Sequence, residues 1–299
     1  MQSLTYDSLR DKVRESSWEG SETGRSSNVR LIPSKKMSGS KTYNAIYLSP
    51  HLDDVALSCG GQIFQRTAAG EQILIVSIAA GDPPDLAVSS YAQSLHDRWE
   101  LITDATEARR AEDIDACRIL GAEWMHWDLP DCIYRYHPET GEPFYVSDPD
   151  IFGEVHAAEM PVVEQLRTQL NALPSHGEMV VPLTLGNHVD HQLTRLAAEV
   201  AFGHKALLFY EDYPYAQIPG ARQQVIPAGT SEWQETIVEL NEEALATKIK
   251  AISAYQSQLS TFFRDEADLV NQIRTFAKSV GNLDTTGGER LWRYTEDYA

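Results

Sequence analysis

The run Ile73-Leu74-Ile75-Val76-Ser77-Ile78-Ala79-Ala80 most narrows the folds open to this chain. It is far too short to span a bilayer. Its β-branched residues sit on both parities, so residues 72–78 read as a strand buried on both faces. Such strands belong to mainly parallel sheets covered by helices. The surrounding chain alternates to match. Residues 43–48 read as a strand and 55–69 as a helix ending at Gly70. Residues 106–120 read as an amphipathic helix stopped by Gly121, and 123–127 as a strand. Further on come helix 151–172, strand 179–182, helix 190–202 and strand 206–210, and from Glu232 onward mostly helix. Strand–helix alternation predicts an α/β, Rossmann-like fold with helices on both faces of the sheet. Ligands then bind beyond the carboxyl ends of the strands.

With 299 residues, 42% hydrophobic and 23% charged, the chain can build one large core. Residues 1–40 are a polar, Ser-rich extension with seven Lys/Arg against five acids, a net +2, leaving −21 of the total −19 on residues 41–299. The extension has no apolar secretory core. Residues 41–299 are expected to form a single domain with a helical C-terminal part. The acidity opposes nucleic-acid and anionic-membrane binding and suits a metal ion or a neutral or cationic small molecule. Cys59, Cys117 and Cys132 show no CxxC spacing, which points to a reducing, cytoplasmic setting. Cys59 reads as a small buried residue, and a homo-oligomer is compatible with the chain.

Two clusters carry the chemistry. His51-Leu52-Asp53-Asp54 follows the strand at 43–48 and precedes a helix, and Gly186-Asn187-His188-Val189-Asp190-His191 does the same after 179–182. In a parallel sheet both lie at one edge. His51/Asp54 and His188/His191 are three apart, a spacing that lets two side chains face one way at a helix start. Two imidazoles, or an imidazole and a carboxylate, joined by one more His make a three-ligand catalytic zinc set, with a fourth position left for water. If Asp54 ligates, the adjacent Asp53 is free to act as general base. The simpler alternative is that Asp53 or Asp54 caps the helix at 55 and that Asp190 caps its own helix. Gly60-Gly61 lacks the GxxxxGK[ST] pattern and reads as a close-packing point rather than a phosphate loop.

Ser49-Pro50-His51-Leu52-Asp53-Asp54 with Gly60-Gly61 resembles the AHPDDE…GG opening of the PIG-L (LmbE-like) zinc de-N-acetylases. His188-Val189-Asp190-His191 resembles their second motif. Arg109-Arg110-Ala111-Glu112 followed by Leu120-Gly121 resembles their RxxE…LG helix, and Asp128-Leu129-Pro130-Asp131 a loop with a substrate-contacting Asp. The resemblance covers about residues 43–212. It implies hydrolysis of an N-acetyl or other N-acyl group from an amino sugar or GlcNAc-type conjugate. It implies one Zn2+ on His51, Asp54 and His191, with other divalent ions such as Fe2+ compatible. Asp53 is then the base, His188 a protonated oxyanion stabiliser tuned by Asp190, and Arg109 and Asp131 substrate contacts.

The chain departs from the family at Leu52 and Val55, where the family has Pro and Glu, and neither is a ligand. Some members carry Tyr where this chain has Gly186. A tyrosine from Phe209-Tyr210-Glu211-Asp212-Tyr213-Pro214-Tyr215 could replace it, with Tyr213 the expected donor. The loops at 82–103 and 128–150 are expected to select the acceptor, with Tyr91, Trp99, Tyr134 and Tyr136 available for stacking. Two rivals are a metal-dependent phosphohydrolase of the all-helical HD type and a non-catalytic sugar- or metal-binding protein of the same fold.

Overall fold

In a computed structural model the structure describes residues 41–85, 88–98, 105–282 and 286–295. The expected N-terminal extension and Trp99 lie outside the described residues. The strands β1 (Tyr43–Ser49), β2 (Ile73–Ser77), β3 (Glu123–His126), β4 (His176–Pro182), β5 (Leu207–Tyr210), β6 (Trp233–Leu240) and β7 (Gly287–Tyr294) form one seven-stranded sheet of order β3-β2-β1-β4-β5-β7-β6. The first five in that order run parallel. Strand β7 pairs antiparallel with both β5 and β6.

The chain moves outward from β1 to β3, then returns to the other side of β1 for β4 and β5. The order reverses between β1 and β4, and the crevice at such a reversal is where open α/β sheets bind ligands. Alternate residues of each strand face opposite ways. Ile46, Leu48, Leu74, Val76, Met179 and Val181 pack under helices α5 (Met160–Asn171) and α6 (Val189–Phe202) through Val163, Leu166, Leu193 and Leu196. Ala45, Tyr47, Ile73 and Ile75 face helices α1 (Asp54–Ala68) and α3 (Ala105–Leu120), where Cys59, Ile63, Ala116 and Leu120 meet them. The three cysteines are free and buried.

Three expectations change. The C-terminal third carries two strands besides its helices: β6 and β7 bracket α8 (Glu242–Ile252), α9 (Gln256–Phe262) and α10 (Glu266–Val280), with α7 (Ala221–Val225) just before them. The expected helix over 151–172 divides into a one-turn α4 (Asp148–Ile151) and α5, with Pro161 at the start of the latter. The loop at 82–103 contains helix α2 (Ser90–Arg98).

Candidate active site

Strand β1 ends at Ser49 and β4 at Pro182, so the two His/Asp clusters emerge side by side at the order reversal. Asp54 opens α1, and its Oδ2 accepts from the His51 backbone N–H at 2.7 Å. The same oxygen lies 3.2 Å from His51 Nδ1 and 3.3 Å from His191 Nε2. Four tetrahedral ligands at zinc distances stand about 3.4 Å apart, so this spacing fits one cation shared by the three groups.

His191 supplies the most telling donor. Its Nδ1 lies 2.6 Å from Asp212 Oδ1 at the exit of β5, so that nitrogen carries the proton and donates it. Nε2 is buried and makes no hydrogen bond, with the Asp54 carboxylate 3.3 Å away. Burial would lower the imidazole, but Asp54 and Asp212 outweigh it and push it up to about 9, so a cation bound there would displace a proton. A carboxylate behind a histidine fixes the tautomer in this way at metal sites. The ring nitrogens of His51, His188 and His191 also lie within 4.8 Å of one another. The donor set of imidazole and carboxylate suits zinc and similar divalent ions.

Asp53 is buried at the N-cap position of α1, yet its side chain makes no capping bond. The capping alternative is therefore not realised. Burial first, then the Asp54 charge, pushes the Asp53 carboxyl up to about 6. Asp54 goes the other way: burial would raise it, but His191 and His51 hold it well below the usual carboxylate range. Two adjacent carboxylates are thus driven apart in proton affinity.

The contacts of His188 and Asp190 differ from those the sequence suggested. His188 caps α6, its Nδ1 accepting from the Asp190 N–H at 3.2 Å. A ring that accepts at Nδ1 is neutral and carries its proton at Nε2. Burial and the neighbouring His51 push its pKa well down. The Asp190 carboxylate does not bond His188. Its Oδ2 is 3.0 Å from His51 Nε2 and accepts from Cys132 N, while Oδ1 accepts from Arg135. Asp190 thus orients His51, as Asp212 orients His191.

His51, Asp53, Asp54 and His188 floor a cavity of about 350 Å³ whose walls include Arg109, Asp131, Tyr91, Phe152 and Tyr215. Arg109 faces it with a buried Nε that has no partner. Asp131 caps the 3-10 turn Cys132–Tyr134 through Ile133 N and reaches within 3.8 Å of His51 Nε2. Glu112 binds Ser257 N and Oγ at 2.9 and 2.6 Å, anchoring α9, which contributes Gln258, Ser260, Thr261 and Phe262 to the wall. Tyr213 is not at the site. Its ring is buried against Phe263 and Phe276, with its hydroxyl toward Gln272, because the chain turns between 213 and 215. Tyr215 lines the cavity instead. Sequence reasoning also missed Arg135 and Asp212. Asp212 sits just after a strand, the position that had singled out both clusters.

A family model described as PIG-L, GlcNAc-PI de-N-acetylase, matches residues 46–202. A 2'-N-acetylparomamine deacetylase of Niallia circulans is 27% identical over 243 residues, covering 75% of this chain and 83% of that protein. A protein of the same description from Streptomyces fradiae is 30% identical over 174 residues, 57% of each chain. The solved zinc-inhibited form of a teicoplanin deacetylase superposes with a TM-score of 0.69 at 26% identity, covering 86% of this chain and 100% of that one.

Proposed function

The chain belongs to the PIG-L de-N-acetylase family, and from that premise we propose that it hydrolyses the N-acetyl group of an amino sugar or GlcNAc-type conjugate. The observation that carries the reading is the buried His191 Nε2, which makes no hydrogen bond, is oriented by Asp212 and lies 3.3 Å from Oδ2 of the cavity-lining Asp54. The parallel sheet removes the all-helical phosphohydrolase rival.

His51, Asp54 and His191 would hold one zinc ion. When bound, zinc polarises the acyl carbonyl and makes water easier to deprotonate. Asp53 lies next to that site with its carboxylate free of capping bonds, placed to accept a proton from water. Water attacks the acyl carbon as Asp53 takes its proton. His188 Nε2–H donates to the acyl oxygen as negative charge develops there. The C–N bond then breaks, the proton passes from Asp53 to the leaving nitrogen, and acetate and a free amine remain. Arg109 and Asp131, both in the cavity wall, hold the sugar.

The test is acetate release by the zinc-loaded protein from a panel of N-acetylated amino sugars and glycoconjugates. Asp53→Asn should retain the metal and lose about 10²–10⁴-fold in kcat. Metal lost with Asp53 would exchange the roles of the two aspartates. A protein that binds the sugars but releases no acetate would instead be the non-catalytic binder.

A further inference from the structure

The turn that carries His51, Asp53 and Asp54 is anchored through its main chain. Pro50 O accepts from Ala79 N at 2.8 Å, just past the end of β2, and Asp53 O accepts from Leu57 N at 3.0 Å inside α1. Leu52 O is held differently. It accepts from the hydroxyl of Tyr255 at 2.9 Å, a side chain 203 residues further along. Tyr255 stands between α8 and α9, beyond the residues 46–202 that the family model matches.

The Tyr255 ring is buried in the apolar cluster that also contains Leu52, Val55, Ala116 and Cys117. Its oxygen lies 2.7 Å from Asp113 Oδ1 as well, so one phenol proton is shared between two acceptors. Asp113 is buried on α3, and its other oxygen meets His126 Nε2 at 2.7 Å and Ser77 Oγ at 3.3 Å. A chain of bonds thus runs from the ends of β2 and β3 through Asp113 and Tyr255 to the peptide that joins Leu52 to Asp53.

That peptide aims Asp53. The Asp53 side chain makes no capping bond, so the peptide planes on either side of it decide where its carboxylate points. The plane after it belongs to α1, and the plane before it carries Leu52 O. Asp54 differs, because its carboxylate is tied to the His51 backbone N–H at 2.7 Å. His51 and Asp54 therefore brace each other, whereas Asp53 depends on a group outside the turn. We infer that Tyr255 is a positioning residue that holds Asp53 in line for proton transfer through the Leu52 carbonyl. The inference rests on the deacetylase reading above. It makes the C-terminal third part of the reaction's geometry, although that third supplies neither the proposed metal ligands nor the base.

The experiment compares wild type, Tyr255→Phe and Ser77→Ala on one N-acetylated amino sugar, well below every thermal midpoint. It measures kcat, KM and bound zinc. Phenylalanine keeps the ring in its apolar seat and removes only the oxygen, so the variant should fold. A base displaced by about 1 Å can cost about 10²-fold, so kcat of Tyr255→Phe should fall about 10- to 100-fold. Its KM should stay within about threefold, since the lost alignment matters only in the transition state. Bound zinc should be unchanged, because His51 and Asp54 keep their own brace. Ser77→Ala loosens Asp113 without touching the turn, and its kcat should stay within about threefold of wild type. An equal kcat loss in Ser77→Ala would show general loosening and overturn the inference. So would a Tyr255→Phe kcat within about threefold of wild type. Zinc lost together with kcat would also overturn it, placing Tyr255 behind the metal ligands rather than the base. A wild type that releases no acetate from any substrate would remove the deacetylase reading and this inference together.

Discussion

At Arg135 a buried guanidinium grips Asp190 on one side and Glu159 on the other, with Tyr145 closing on Glu159. Asp190 in turn faces His51, so the arginine acts on the site through a carboxylate. Removing one partner of a buried ion pair leaves uncompensated charge. Arg135→Ala should therefore lower the unfolding free energy by about 3–5 kcal/mol in urea titrations. Arg135→Lys should fall between it and the wild type, because an ammonium cannot fork to two carboxylates. Glu199 gives the pH-dependent counterpart. Burial would raise its carboxyl, but Arg195 and His204 outweigh it and hold it down to about 2. A depressed carboxylate stabilises the fold fully above its ordinary value near 4.5 and stops doing so as pH falls towards 2. The shift corresponds to about 3 kcal/mol at most. The stability gap between wild type and Glu199→Gln should be largest at neutral pH and shrink between pH 5 and pH 3, and a gap independent of pH would contradict this. Neither network showed in the sequence: Arg135 lies in a loop with no period, and the pairs join residues with no shared pattern.

Helix α1 carries Asp54 at its first turn and is pinned in its middle by the C-terminal elements. Glu289 of β7 accepts from Gly61 N at 2.9 Å and Gln62 N at 2.8 Å, while Lys248 of α8 bonds Glu289 at 2.6 Å. Gly60-Gly61 is therefore a docking point for another element, as its position within a helical pattern suggested, and no phosphate loop. The two glycines differ. A Cβ at Gly61 would lie 2.6 Å from Leu240 Cδ1 and 3.1 Å from Glu289 Oε1, whereas one at Gly60 would first meet Lys248 Cγ at 3.2 Å. Overpacking costs about 1–3 kcal/mol, and alanine regains up to about 1 kcal/mol over glycine inside a helix. Gly61→Ala should thus lower the urea midpoint clearly at unchanged slope, and Gly60→Ala should lower it less. Strands β6 and β7 escaped the sequence reading for related reasons. Strand β6 (WQETIVEL) is an edge strand with most residues partly or fully exposed, and β7 opens on Gly287-Gly288. Neither shows the apolar run that made β2 obvious.

Across the whole molecule, the sequence foretold the meeting of two clusters because each follows a strand of a parallel sheet and precedes a helix. It could not foretell which atoms meet, because that depends on how the turns leave the strands. Thr184 and Asn187 hold positive φ of 67° and 63° in the turn that presents His188. The turn after Asp212 decides that Tyr215 rather than Tyr213 reaches the cavity. Such left-handed positions in non-glycine residues persist only where their surroundings hold them. The same geometry makes metal binding a property of the folded chain alone. His51 and Asp54 leave β1 and His191 follows β4, so the unfolded chain offers no such site. A cation bound only by the folded state adds RT ln(1 + [L]/Kd), about 2.7 kcal/mol at a hundredfold excess over Kd. In a chain of this size that raises the thermal midpoint by about 4 °C. Calorimetry with and without zinc should show this rise for wild type and for Asp53→Asn. It should be absent from His191→Ala, whose buried Nε2 is the donor with no other partner. A rise that survives His191→Ala would place the cation elsewhere, on the Cys132, His188 and Asp190 grouping that Arg135 otherwise occupies.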